Sequence, residues 1–507
     1  MIGLLVIGHS SIYAQYEIND VFSDLNETTY VTQDIFAVWW DKDFDYTAQA
    51  SSLLDDMVSY KEACINEYGL QLPQSPIDGY YVNVYLHGDG GFYDMYGWGN
   101  GLGTDTNGYP YLTLPYWIIS DNLNTAHETF HVFQHNASSP GFAYTGDSQW
   151  YTEATANWFA AIQNIELDRA FIESEALVRI PHVPLWLGWS NFPSSYPNNW
   201  QRQVHQYGLG LFIYYLTDVK DVSRLMISEG YYTGTTLYPQ EYLFNNIGGE
   251  VFRGHFIDWA TQMTNDFDFI TQTQRDANLQ EWNTYADPND DNEFIAVFDE
   301  NGSQGWYRPD DLHTTNAWSF NTYKLNNSSN TQYTFELSGD PSGSQGDPAY
   351  FKARVLVRNN TQDSSYFVDV PMSSDWDGSL TLPVSAQEDE LFFIVASMPN
   401  VFEDNGLEFQ LFNYEIRIAN GTLGQDDNAV ASAVEVYPNP VKDILHVSVP
   451  SGHIRHYELI SVMGQTILSS PADDNPISVD MGALRSGVYF LKMQLDTGAR
   501  HIRVIKQ

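Results

Sequence analysis

His127-Glu128-Thr129-Phe130-His131, followed at a distance by Trp150-Tyr151-Thr152-Glu153-Ala154-Thr155-Ala156-Asn157-Trp158, is the part of the chain from which the rest is read. Residues four apart share one face of a helix, so His127 and His131 can aim two imidazoles at one cation, with Glu128 beside its open side. A catalytic zinc takes three protein ligands and leaves the fourth position for water. Glu153 is the candidate third ligand. It follows 22 residues after His131, enough to end one helix, turn through Asn136-Ala137-Ser138-Ser139-Pro140-Gly141 and begin a second helix against the first. Trp150, Ala154 and Trp158 give that second segment a helical period. Asn157, one turn beyond Glu153, is placed to hold the tautomer of a ligand imidazole, and Asp147 is a rival for that role. A reading without metal also exists. Thr125-Ala126-His127-Glu128 fits a capping box, although Asp121 and Asn122 offer an earlier cap. His135 continues the same helical face about 6 Å further along the axis, which suits packing or support better than ligation.

These two segments resemble the gluzincin metallopeptidases, the thermolysin-like clan whose zinc is held by two histidines of HExxH and a downstream glutamate. In arrangement the resemblance covers residues 30–270, and it rests on those two motifs. It implies a zincin-like domain of a small sheet plus active-site helices, one catalytic Zn2+, and a protein or peptide substrate hydrolysed by metal-activated water with Glu128 as general base. Thermolysin-like enzymes carry an aspartate four residues after the glutamate, where this chain has Asn157; a neutral amide polarises an imidazole less. The clan also supplies an oxyanion donor, a Tyr or His, from outside the ligand helices. His205 and Tyr207 are the two candidates, and helix packing or capping is the alternative for each.

At 507 residues the chain exceeds one ordinary core, and three or so domains are expected. An apolar content of 43%, with 15% aromatic residues, calls for a folded chain throughout. The formal charge of −43, from 65 acidic against 22 basic residues, argues against nucleic acid and anionic membrane surfaces as partners. Such a surface suits extracellular water, and Ca2+ is a possible counter-ion. The richest acidic stretch, Asp287-Pro288-Asn289-Asp290-Asp291-Asn292-Glu293, lacks the sixth-position glycine and twelfth-position glutamate of an EF-hand. Cys64 is the sole cysteine and reads as a buried apolar residue.

Residues 1–15 have a short apolar run and Ala14 at a plausible cleavage point, as in a secretory signal, although no basic residue precedes the run. No later run reaches the length of a transmembrane segment. The domain over 16–294 opens with a strand at Phe36–Trp40, a helix at Ala48–Tyr68 and a strand at Tyr80–Leu86. Gly88–Gly108 is a glycine-rich loop that lacks the lysine of a phosphate cradle and suits a lid near the cleft. Tyr109–Ile118, with two prolines, is expected to be an edge strand able to receive an extended peptide, or else an edge covered by a loop. Helical pattern then continues through Ser174, resumes at His205–Leu216 and returns at Val251–Met263.

From 295 to 420 short alternating segments separated by Asn, Gly, Ser and Asp predict a β-sandwich, for glycan or substrate binding or as a structural appendage. A polar linker over 421–431 follows. Within 432–507 stand three ordered motifs: Val436-Tyr437-Pro438-Asn439-Pro440-Val441, Leu459-Ile460-Ser461-Val462-Met463-Gly464-Gln465 and Leu484-Arg485-Ser486-Gly487-Val488-Tyr489-Phe490-Leu491-Lys492. They closely resemble the C-terminal sorting domain of type IX secretion substrates in Bacteroidota. The resemblance implies a small β-sandwich, export through the type IX secretion machinery, and release or attachment at the cell surface. The chain as a whole is thus expected to be a multidomain α+β protein and a secreted zinc metallopeptidase. The rival expectations are a surface adhesion protein with an inactive zincin-like domain and a zinc hydrolase acting on a non-peptide bond.

Overall fold

The computed structural model describes residues 22, 24–73, 79–97, 99–105, 108–192, 199–285, 298–299, 305–309, 313–327, 331–359, 361–386, 388, 390–403, 409–421, 435–449, 453–461, 466–495 and 498–507. The leader over 1–15, the acidic stretch Asp287–Glu293, nearly all of the 421–431 linker and residues 462–465 of the second sorting motif lie outside them. The fold is mixed α+β, in two compact units. The first holds the described residues within Met1–Trp259, Phe267–Glu293 and Phe402–Phe409; the second holds those within Ala260–Asp266, Phe294–Val401 and Gln410–Gln507.

In the first unit five strands form one sheet: β1 (Thr28–Gln33), β2 (Phe36–Asp41), β3 (Val82–His87), β4 (Gly101–Thr104) and β5 (Pro110–Pro115), in the order β1-β2-β3-β5-β4. β2 and β3 are buried along their whole length, as strands covered on both faces must be, and they read as unbroken apolar runs. They pair in parallel, Val38 opposite Val84, so a crossover is required. The helix α1 (Thr47–Asn66) supplies it, turning Leu53, Leu54, Met57 and Tyr60 inward. Cys64 lies on the same buried face, as its apolar reading requires. β5 pairs in parallel with β3 and antiparallel with β4, so it is internal; the edge is β4. The expectation of an edge strand at Tyr109–Ile118 is therefore corrected. Pro110 and Pro115 stand at the two ends of β5, where a missing N–H leaves the middle of the ladder intact.

Helices α2 (Asn122–Gln134) and α3 (Gln149–Gln163) pack on one another, with Phe130 stacked on Phe159 at 4.8 Å between ring centres. The helical pattern expected to run on through Ser174 ends at Gln163. Asn164 closes the helix, its side-chain amide donating to the Ala160 carbonyl at 3.0 Å. A further helix, α4 (Asn199–Gly208), begins before the expected His205 start and is followed by a shorter helix over Gly210–Tyr214.

The second unit contains two β-layered regions. β6 (Ser319–Asn326), β8 (Phe351–Asn359), β9 (Ser364–Asp369) and β11 (Glu390–Ser397) form a sheet in the order β9-β8-β11-β6. β7 (Thr331–Gly339), β10 (Asp377–Val384) and β12 (Tyr414–Gly421) form a second, ordered β10-β7-β12. Phe335 of β7 meets Phe393 of β11 at 5.4 Å, closing a sandwich-like core between the sheets. The chain's last stretch builds a three-stranded and a four-stranded sheet, from β13 (Glu435–Tyr437), β14 (Ile444–Ser448), β15 (Ile454–Ser461), β16 (Thr466–Asp474), β17 (Ile477–Asp480), β18 (Gly487–Leu495) and β19 (Gly498–Lys506). Alternate residues such as Leu445 and Val447, Ile477 and Val479, Leu491 and Met493 fill their common core. The first sorting motif closes on the last strand, where Val441 N–H donates to the Ile505 carbonyl at 2.7 Å.

Candidate metal centre

α2 starts where the aspartate allows it. The Asp121 carboxylate accepts from the backbone N–H of Leu123 at 3.2 Å and of Asn124 at 3.4 Å, so the cap is Asp121 and the capping box of Thr125 and Glu128 does not form. Glu128 is thereby free for other work. With that start, every residue from Thr125 to Gln134 is buried, and His127 and His131 lie one turn apart on the side facing α3.

Across from them stands Glu153. Its Oε2 lies 3.2 Å from His127 Nε2 and 3.4 Å from His131 Nε2, and the two Nε2 atoms are 3.0 Å apart. Among the described residues these three form the one group of His, Cys, Asp and Glu side chains set close enough to share a metal. A tetrahedral zinc with bonds of about 2.0–2.1 Å separates its ligand atoms by about 3.3 Å, which this triangle matches.

The tautomers follow from two amides. Asn157 donates through Nδ2 to the Tyr207 carbonyl at 3.1 Å, which turns its Oδ1 to His127 Nδ1 at 2.6 Å. Gln134 donates through Nε2 to the Thr152 carbonyl, the Thr155 hydroxyl and the Tyr231 hydroxyl, at 3.1, 2.9 and 2.8 Å. Its Oε1 therefore faces His131 Nδ1, again at 2.6 Å. An amide oxygen only accepts, so both Nδ1 atoms carry the proton and both Nε2 lone pairs converge on one point. Two lone pairs and a carboxylate held together repel unless a cation lies between them. The protonation equilibria show the same demand. Burial opposes charge on His131, yet the Glu153 carboxylate outweighs it and, with Glu128 and Gln134, lifts the imidazole to about 9. Burial likewise opposes the charge on Glu153, and the two histidines nonetheless hold its carboxyl far below the usual range.

Glu128 Oε2 is buried with no hydrogen-bond partner. It faces the edge strand, where a methyl group on Gly101 would lie 3.5 Å from it. These groups line a cavity of about 770 Å³ whose walls include Gly101 and Leu102 of β4, Tyr144, Arg169, Glu173 and Tyr207.

Of the two candidate oxyanion donors only Tyr207 reaches this cavity, its ring 5.8 Å from that of His127. His205 is turned away. Its Nδ1 donates to the Leu187 carbonyl at 2.9 Å, its ring meets Phe192 edge-on, and burial lowers its pKa to about 4. Asp147 is also elsewhere. Its carboxylate accepts from Asn191 Nδ2 at 2.8 Å in the turn that precedes α3, so of the two rivals it is Asn157 that supports His127. His135 lines the cavity and ends α2, with Nε2 3.2 Å from the Gly108 carbonyl.

Sequence reasoning missed Gln134, Tyr144 and Glu173. Gln134 follows His131 at the i, i+3 spacing that places it on the same face, a signal that was there to be read. Tyr144 belongs to an irregular segment, and no periodicity announces it; it lines the cavity with its hydroxyl in the field of the Glu153 carboxylate. Burial first and then the Glu153 carboxylate push the hydroxyls of Tyr144 and Tyr207 well above their ordinary pKa, so both stay protonated donors.

Comparison with known proteins identifies both ends of this arrangement. The chain belongs to the family described as "Family of unknown function (DUF6055)", which matches residues 9–425. Residues 435–507 match the "Secretion system C-terminal sorting domain", so the chain is exported by type IX secretion to the cell surface or extracellular space and engages that machinery. No described helix is long and apolar enough to cross a membrane. No curated protein matches. Among solved structures, a biofilm-associated protein BSP domain is similar at 11% identity over 47% of this chain and 55% of that one, with a TM-score of 0.13. A Ruminococcus gnavus β-glucuronidase is similar at 9% identity over 36% of this chain and 34% of that one, with a TM-score of 0.12. The chain thus spans about half or less of these structures, and at such TM-scores neither bears on the site.

Proposed function

We propose that the first unit is a zinc-dependent peptidase of the gluzincin type, exported to act outside the cell. The observation that carries this reading is the convergence of two imidazole lone pairs and a carboxylate at tetrahedral ligand spacing, beside a buried carboxylate with no partner. Zinc supplies two things when bound: a water pKa lowered toward neutrality and a polarised scissile carbonyl. His127, His131 and Glu153 hold it, while Asn157 and Gln134 keep the imidazoles in the ligating tautomer. Glu128, adjacent to His127 and unpaired, accepts the proton of the attacking water and returns it to the leaving nitrogen. Tyr207 and Tyr144, kept protonated, are the donors available to the oxyanion. The free edge of β4 beside Glu128 gives an extended peptide backbone groups to pair with, the role first expected of Tyr109–Ile118.

The test combines metal analysis with turnover on an unfolded protein substrate. Wild type should bind one zinc per chain and cleave. Glu128→Gln should keep the zinc and lose activity by about 10²–10⁴-fold. Glu153→Ala should lose zinc. A zinc-loaded wild type that cleaves no unfolded protein ends the peptidase reading, and an adhesion protein would instead bind its target unchanged by Glu128→Gln.

A further inference from the structure

One wall of the cavity is not used by the chemistry above. Arg169, Ala170, Ile172 and Glu173 belong to the turn after α3 and line the same space as His127 and Glu128. Two features fix that turn. Ser174 Oγ donates to Asn278 Oδ1 at 2.8 Å. Gly208 lets it approach α4 directly, since a methyl group there would stand 2.6 Å from the Glu173 carbonyl oxygen. Gly208 follows Tyr207, so Glu173 is registered against the helix that carries a donor of the reaction.

The two charged groups of this wall differ in their partners. Arg169 Nη2 is bridged to Asp121 Oδ1 at 2.7 Å, and that carboxylate already caps α2. Glu173 has no ion pair among the described residues. Its carboxyl gains only its own backbone N–H, and burial raises its pKa despite the nearby His127 and Arg169. A carboxylate half-screened from water at a cavity wall, and left without an ion pair, is stabilised by a cation brought to it. The protein's net charge of −43 also favours basic over acidic ligands.

We infer that Glu173 is a specificity residue, pairing with a cationic nitrogen of the substrate while the scissile bond lies at Glu128. The inference rests on the peptidase reading for its reaction, but not for its ligand chemistry. The nitrogen has two sources, a Lys or Arg side chain or a free amino terminus.

The experiment uses the full chain in zinc-loaded and chelator-stripped forms. Matched peptides carry Lys, Arg, Gln or Met at one varied position and are made with free and with acetylated amino termini. For the zinc-loaded wild type, kcat/KM should favour cationic peptides by tenfold or more. Glu173→Gln, checked for unchanged zinc content, should remove that preference, and Glu173→Lys should shift it toward Glu-bearing peptides. A preference that survives acetylation assigns the side chain, and one that acetylation abolishes assigns the α-ammonium; both support the inference. A preference within twofold of wild type in Glu173→Gln overturns it. Calorimetric binding of the free-amine Lys peptide to the zinc-free chain separates the two readings. If no peptide is cleaved but this binding is lost in Glu173→Gln, the cation site stands and the peptidase reading falls. If the zinc-free chain does not bind, or binds equally without Glu173, the cation site falls.

Discussion

His127 and His131 each give Nδ1 to an amide oxygen whose own nitrogen is committed elsewhere. That commitment is what makes Asn157 and Gln134 more than neighbours: neither amide can rotate without breaking a bond to the backbone or to Tyr231. Asn157→Ala and Gln134→Ala should each weaken zinc binding by about 10–100-fold, measured by competition with a chromophoric chelator, and an unchanged affinity would remove them from the site. An aspartate is expected at the place of Asn157 from the thermolysin pattern, and here the neutral amide holds His127 Nδ1 through its oxygen. His205 shows the opposite case, a histidine near the site in sequence yet sealed from it. Because burial lowers its pKa from 6.5 to about 4, the folded chain takes up its proton later than the unfolded chain. The stability from its neutral form is complete above pH 6.5 and is lost as pH falls toward 4, about 3 kcal/mol in all. Comparing urea unfolding midpoints at pH 7 and pH 4.5 in wild type and His205→Asn should show the smaller acid loss in the variant. Equal losses would contradict this account.

At the scale of elements, the site is the meeting of α2, α3 and the β4 edge, braced by α4. The α2 histidines and the α3 carboxylate were legible in the sequence, because a 3.6-residue period places i and i+4 on one face whatever the rest of the fold does. The edge strand was not. Two prolines in Tyr109–Ile118 point to an edge, but proline at a strand end costs no ladder bond, and β4, with two glycines among its four residues, has no propensity to announce it. Nor was the break in the 205–216 helix expected, although Gly208 marks the spot. The prediction at this scale concerns that glycine. Gly208→Ala puts a methyl group 2.6 Å from the Glu173 carbonyl oxygen, so backbone must move apart. It should destabilise the first unit by about 1–3 kcal/mol, read from denaturant midpoints, with zinc stoichiometry retained. A neutral result would mean that the turn and α4 are not in tight register.

For the whole molecule, the candidate metal site and the export signal sit in different units, and they should be separable. The metal triad lies wholly within the first unit, and the sorting sheets share a core of their own around Leu445, Leu491 and Met493. Deleting residues 435–507 should abolish appearance of the protein outside the cell in fractionation, yet leave one zinc per purified chain. Loss of zinc in the truncated chain would show that the units are energetically joined. The alternation of the sandwich strands, the three sorting motifs and the acidic surface were all legible from sequence, since each is a local or compositional property. By itself the sequence thus determined the pairing of His127 and His131 on one helix face, the layered β regions and the route of export, because helical and strand periodicity and ordered motifs act over short range. Only the tertiary structure decided which amide meets which imidazole, that Asp147 and His205 stand apart, and that Glu173 lines the same cavity as His127 and Glu128. Those are contacts across turns and between helices, whose register depends on close approaches such as that at Gly208 rather than on any spacing along the chain.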